Sequence, residues 1–345
     1  MNNYLLLLSK YRDNIMGIAI IWIMMFHLPF RPNMPIVNDI MDIGYGGVDL
    51  FLFLSGFGLY FSLSKKNTDL AQYYKKRFCR ILPEFWLFLI VTYVVSMNFD
   101  IHSFWNLICQ ATTIGYWVPN VPYTLWYISC ILFFYAIFPV YFKLFKKYGF
   151  KIPILIETAG FILIIIYAWA MIFYFNNTNK GGTLILTIAR IPIFFIGAIA
   201  GYWVKNAIDI KITHKKIAFA LLIFTGSIIS LEYFLHFCRD YLWTCSLYFL
   251  PFIIIAPILS IIIAIVMDKI PKSISSLFAK IGSISLELYI VHEYLYQKLI
   301  HNLTNEFGTY ISIFTVTALS FILAIILYKI NKILLQRIFK KVLNL

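Results

Sequence analysis

Seven ionisable residues stand inside long apolar runs: His27, Asp49, Glu157, Arg190, Glu232, Glu287 and His292. A charge at mid-bilayer costs about 2.5–3.5 kcal/mol on insertion scales, so each is a functional candidate until another reason for it is found. His27 with Asp49 suits general-base chemistry, because a carboxylate orients an imidazole and raises its basicity. His292 reads two ways, as a second functional imidazole or as a histidine that hydrogen-bonds a neighbouring helix. Ser285, Tyr289 and His292 follow i, i+4, i+7 spacing and share one helical face. Arg190, in the middle of its run, requires an anion from the protein or from a ligand. Glu157 and Glu232 fall near run ends, within reach of water, and take no role. Arg77 and Arg80, at i and i+3 beside Lys75 and Lys76, read either as basic anchors or as one face suited to bidentate phosphate binding.

The scaffold that must position these groups is written in the basic residues. Six clusters (Lys10/Arg12, Lys65 to Arg80, Lys143 to Lys151, Lys205 to Lys216, Lys269 to Lys280, Lys329 to Lys341) hold 24 of the 29 lysines and arginines. Each long apolar run lies between two of them. Basic loops stay cytoplasmic, so the alternation predicts an all-α polytopic membrane protein with both termini inside. About ten spans are expected, over residues 14–30, 44–64, 80–97, 123–142, 153–174, 183–203, 217–237, 244–266, 281–299 and 309–328. They use most of the 345 residues, so residues 1–345 read as one membrane domain without an appended soluble domain.

Composition narrows the class further. Hydrophobic residues make up 61% of the chain and mean hydropathy is +0.83, which excludes a soluble fold. Continuous apolar runs without period-two alternation exclude a membrane barrel. The net charge of +14 reflects topology and anionic lipid, so no nucleic-acid partner is expected. The first run carries His27 and lacks a small-residue cleavage site, and so reads as a retained helix. The five cysteines show no CxxC spacing; Cys238 and Cys245 flank a short outer loop, where they either pair or stay free. Segment 98–122, with Phe104, Trp105, Leu107 and Ile108, is expected to lie along the membrane surface or re-enter it. The apolar faces show no clear Gly-x-x-x-Gly seam for oligomerisation. In this topology His27 lies about 16 Å along its helix from Met16, in the outer half, and Asp49 about 8 Å inside the next one. The two side chains are therefore expected at one level.

At this point five stretches resemble acyltransferase family 3, the integral-membrane acyltransferases of cell-surface glycans. Gly17 through Trp22 to His27 is similar to the helix carrying the family's histidine. Gly47-Val-Asp-Leu-Phe through Ser55-Gly-Phe57 resembles the GVDxFFxxSGF signature, and Arg77-Phe-Cys-Arg80 with Pro83 the RxxR-x-x-P element. Leu125-Trp126 through Phe134-Tyr135 and Pro139 resembles the LW…FYxxxP helix. The last pair is Arg190-Ile-Pro192 with Gly197, and Gly282-Ser-Ile-Ser285 through Tyr289 and His292. The resemblance implies transfer of an acyl group, usually acetyl, from cytoplasmic acyl-CoA to a hydroxyl of a surface polysaccharide or lipid-linked glycan. It implies His27 as catalytic base with Asp49, and Arg77, Arg80 and Arg190 at the acyl donor. Ser55, Trp126, Tyr135, Tyr289 and His292 are expected to support them, with Arg190, Tyr135 or Ser55 steadying the oxyanion. Acyl-CoA enters as co-substrate, and no resident cofactor or metal is expected. Two positions depart from the pattern: Met16 stands where the family has an arginine, with Arg12 one turn earlier, and Ile131 stands where it has a glutamate. Competing readings are a transporter or flippase for a lipid-linked sugar or anionic solute, and a family member that has lost catalysis.

Overall fold

Lipid offers backbone N–H and C=O groups no partner, so an apolar run closes its hydrogen bonds within itself, as a helix. The computed structural model describes residues 2–65, 69–96, 100–118, 121, 125–173, 184–208, 213–237 and 247–342, and among them there is no strand. The chain begins with α1 (Asn2–Lys10), α2 (Arg12–His27), α3 (Pro35–Asp42), α4 (Gly47–Leu63) and α5 (Leu70–Ser96). Next come α6 (Ile101–Ala111), α7 (Ile114–Trp117), α8 (Trp126–Tyr148), α9 (Lys151–Phe173), α10 (Leu184–Ile188), α11 (Ile191–Lys205) and α12 (His214–Phe237). The last five are α13 (Phe252–Lys269), α14 (Lys272–Ser283), α15 (Ser285–Leu295), α16 (His301–Phe307) and α17 (Thr309–Val342). Cys238 and Cys245 lie outside the described residues.

Eight of these helical stretches are long and apolar enough to cross a membrane, and a ninth if α14 and the helix from Ser285 to Phe307, bent by 69°, form one broken span. Two expected spans thus look different. The run at 14–30 is the sixteen-residue α2, about 24 Å long against a hydrocarbon core of about 30 Å. The run at 281–299 is interrupted near Ile284, where α14 gives way to α15.

The centre of the bundle is α4. It is apolar all round and buried on every face, as a helix enclosed by others must be. Along it lies α11, and the approach is close because both present glycine: a Cβ at Gly56 would strike the Phe194 carbonyl, and one at Gly197 the Phe53 carbonyl. Small residues let membrane helices approach to backbone contact. α2 packs on the other side of α4 and crosses α14 through Gly17 and Gly282, where added Cβ atoms would strike the Phe278 and Asp13 carbonyls. Asn14 locks this crossing, its Nδ2 donating to the Ser275 carbonyl at 2.6 Å. By contrast, α9 and α12 expose apolar side chains such as Ile165, Trp169, Leu222 and Ile229 along their outer faces.

The connection after α5 carries the short helices α6 and α7. Asp100 caps α6 by accepting from the Ser103 N–H at 2.9 Å, and that bond holds its carboxyl below the usual range. Phe104 and Trp105 of α6 point away from the protein, and Trp86 Nε1 donates to the Ala111 carbonyl to hold the segment against α5.

Candidate active site

α2 ends on His27, and α15 brings His292 beside it. His27 Nδ1 stands 3.0 Å from His292 Nε2, and His292 Nδ1 stands 2.8 Å from the Leu288 carbonyl. A carbonyl oxygen only accepts, so His292 Nδ1 carries the proton and its Nε2 is left as an acceptor. His27 Nδ1 donates to that nitrogen, which leaves His27 Nε2 with a free lone pair. His292 is wholly buried while His27 is half-buried. The arrangement fixes both tautomers and leaves His27 Nε2 able to accept a proton.

Asp49, the expected partner of His27, is engaged elsewhere. Its Oδ1 lies 3.4 Å from Arg190 Nε, with both side chains at most 3% exposed. Asp49 sits in the first turn of α4, and Arg190 caps the start of α11, so the packing of these two helices brings them together. The guanidinium lies over the rings of Trp126 and Phe249, at 4.8 and 4.2 Å, and donates to the Leu186 carbonyl. Arg190 therefore finds its anion inside the protein, and Trp126 covers it. Of the two sources that the sequence left open for its anion, the protein supplies one in Asp49. Asp49→Asn leaves a buried cation without its counter-charge and is expected to destabilise the fold by about 3–5 kcal/mol. Thermal unfolding in detergent checks this, and the charge-free double variant Asp49→Asn/Arg190→Gln should recover much of the loss.

A second feature lies toward the other end of α2. A narrow cleft with about 30 Å³ of internal space lies between α2, α4, α5, α8 and α15, lined by Arg12 and Arg80 and by the hydroxyl-bearing Ser55, Tyr127, Tyr135, Ser285 and Tyr289. Arg12 starts α2 and His27 ends it, a separation of about 22 Å. Of the expected arginine pair, Arg80 lines the cleft, whereas Arg77 lies over the Tyr73 and Tyr135 rings at 5.8 Å from each. Met16 and Ile131, the two departures from the family pattern, both line it as well. Tyr289 joins this cleft to the histidines: its ring centroid is 6.0 Å from that of His292 and 5.2 Å from that of Tyr127. Its hydroxyl is buried and has no hydrogen-bond partner.

Some residues were not singled out from the sequence. Tyr127 is one. Glu84 is another, buried on α5 one turn beyond Arg80 and sharing a cavity with Glu287 of α15. Its signal was a glutamate inside an expected span, masked by the basic cluster just before it. Glu232 pairs at the surface with His236, 3.0 Å away, which also approaches Asp39 at 3.6 Å.

A family model described as an acyltransferase domain matches residues 10–329. A peptidoglycan O-acetyltransferase (OatA) of Listeria monocytogenes is 24% identical over 253 residues, which cover 66% of this chain and 39% of that protein. The chain thus matches well under half the length of this relative. No solved structure matches.

Proposed function

The chain belongs to this acyltransferase-domain family, and from that premise we propose that it is an O-acetyltransferase of the membrane. In this reading it moves an acetyl group from cytoplasmic acyl-CoA to a hydroxyl of an extracytoplasmic or lipid-linked polysaccharide. The chain itself is a multi-pass membrane protein. Counting α2 as a short span brings the total to about ten and leaves both termini cytoplasmic, with Arg12 and Arg80 at the inner face and His27 toward the outer one. The matched relative carries peptidoglycan in its name, which makes a polymer of that kind the first acceptor to test.

The observation that carries the reading is the hydrogen-bonded imidazole pair. The acceptor hydroxyl gives its proton to His27 Nε2 as its oxygen attacks the thioester carbonyl. His292 accepts from His27 Nδ1, holds the ring, and shares the positive charge that develops. The new C–O bond forms, the C–S bond breaks, and the proton passes to the departing thiolate, so CoA leaves as a thiol. A thioester needs little activation, and positioning with one base supplies much of the rate. Arg12 and Arg80 hold the donor's phosphates, and the pantetheine arm runs past Ser55 and Tyr135. The Tyr289 hydroxyl stands ready to donate to the carbonyl oxygen. Arg12 supplies, one turn early, the guanidinium that the family pattern places at position 16.

The test uses purified protein in vesicles with labelled acetyl-CoA and a glycan acceptor. Label on the glycan is expected, and Arg12→Gln or Arg80→Gln should each raise the donor KM about tenfold, the value of one charge-assisted hydrogen bond. Movement of a solute without acyl turnover would end this reading in favour of a carrier.

A further inference from the structure

Arg80 is a wall shared by two cavities. On its far side lies a cavity of about 230 Å³ between α5, α15 and α17, lined by Glu84, Glu287, Ser283, Tyr328, Asn331 and Lys332. Arg80 and Glu84 share one face of α5 at i, i+4 spacing. Glu84 is 1% exposed and Glu287 5%, and the two carboxyls line the same cavity. Two carboxylates that share a buried cavity cannot both stay ionised without a cation between them or near them. Arg80 and Lys332 border the space, yet among the described residues neither comes within 4.0 Å of a carboxylate oxygen of the pair. Two buried oxygens on this cavity, Glu84 Oε2 and Asn331 Oδ1, have no hydrogen-bond partner. A buried acceptor left this way calls for a ligand that brings positive charge or a proton.

The break between α14 and α15 strengthens the case. Ser283, the last residue of α14, borders the cavity, so the carbonyl end of a helix lies beside it. In discontinuous membrane helices such ends, negative by their dipole, hold small monovalent cations and protons. We infer that the Glu84–Glu287 cavity is a binding site for a small monovalent cation, Na⁺ in exchange with a proton, held by the two carboxyl groups and Asn331 Oδ1. The charged and titratable groups facing it from the packed helices are Arg80, Lys332 and Tyr328. Through Arg80 the site also touches the donor cleft, a consequence that rests on the proposed acyl transfer; the cation site itself does not.

The experiment compares thermal unfolding of the full chain in nanodiscs in NaCl and in choline chloride of equal ionic strength, at pH 8 and pH 5.5. Na⁺ should raise the midpoint by about 3 °C at pH 8, and by less at pH 5.5, where protons occupy the pair. Glu84→Gln/Glu287→Gln should respond to neither. Direct binding of radioactive Na⁺ to the unaltered protein, one per chain and competed by acid, provides the reading should that variant not fold. Equal midpoints in both salts at both pH values, a Na⁺ response that survives the double substitution, or no bound radioactive Na⁺ would overturn the site. None of these outcomes depends on acyl turnover, so failure of the cation site and failure of the enzyme reading are distinguishable.

Discussion

His27→Ala is expected to lower glycan acylation by about 10²–10⁴-fold, the range that a positioned general base supplies. The protein should still fold, because His27 ends α2 and is half-buried, so its loss opens no sealed cavity. In the proposed reading donor affinity should barely change, since the cleft lined by Arg12 and Arg80 lies toward the opposite end of that helix. Added imidazole, small enough to enter beside the vacated position, should restore part of the rate. His292 gives the sharper comparison. His292→Gln keeps an acceptor for His27 Nδ1 and should lower kcat far less than His292→Leu, which keeps bulk but removes the acceptor, with the donor KM unmoved in both. Full acylation by His27→Ala would remove this imidazole from the reaction, whatever became of the family assignment.

Gly282→Ala should be nearly as damaging without touching a reacting group. The added methyl would meet the Asp13 carbonyl, a backbone atom that no rotamer change can move away. α2 and α14 must then separate, at an overpacking cost of about 1–3 kcal/mol. Gly17 and Gly282 each stand ten residues before a histidine of the pair, so a shift at this crossing is carried forward to His27 and His292. Misplacement of about 1 Å costs on the order of 10²-fold in rate. The expected result is a folded protein with a midpoint a few degrees lower and acylation reduced about a hundredfold. Gly226→Ala on α12, where a Cβ meets open space, should change neither. Acylation by Gly282→Ala at the unaltered rate would show that the crossing does not set the imidazole geometry.

These two substitutions also mark how far the sequence could be read. The helical class, the membrane setting and both histidines were legible, because apolar runs punctuated by charge and imidazoles inside them are local signals. Which groups meet was not local. His27 and His292 are 265 residues apart, and hydropathy says nothing about which helix neighbours which. The requirement that Arg190 have an anion was legible from burial alone. That the anion is Asp49 depends on α4 lying along α11, and so Asp49 was expected beside His27 instead. Gly197 and Gly201 stand four apart, yet gave no clear seam because their partner surface, around Phe53, Gly56 and Phe57, lies on a distant helix of the same chain. The shortness of α2 was hidden too, since apolar Leu28 and Phe30 extend the run past the point where the helix ends.

The placement of the two imidazoles has a consequence for how the protein is made. Ribosomes add about 5–20 residues per second, starting from the amino end. His292 is therefore polymerised about 13–53 s after His27. Throughout that interval α2 resides in the bilayer without its partner helix, and its flank around Gly17 is open to any other nascent segment. Premature termination between α5 and α15 yields a product that keeps Arg12 and Arg80 and lacks the second ring. Such a fragment also lacks Tyr289 and with it one wall of the cleft, and it is expected to transfer nothing.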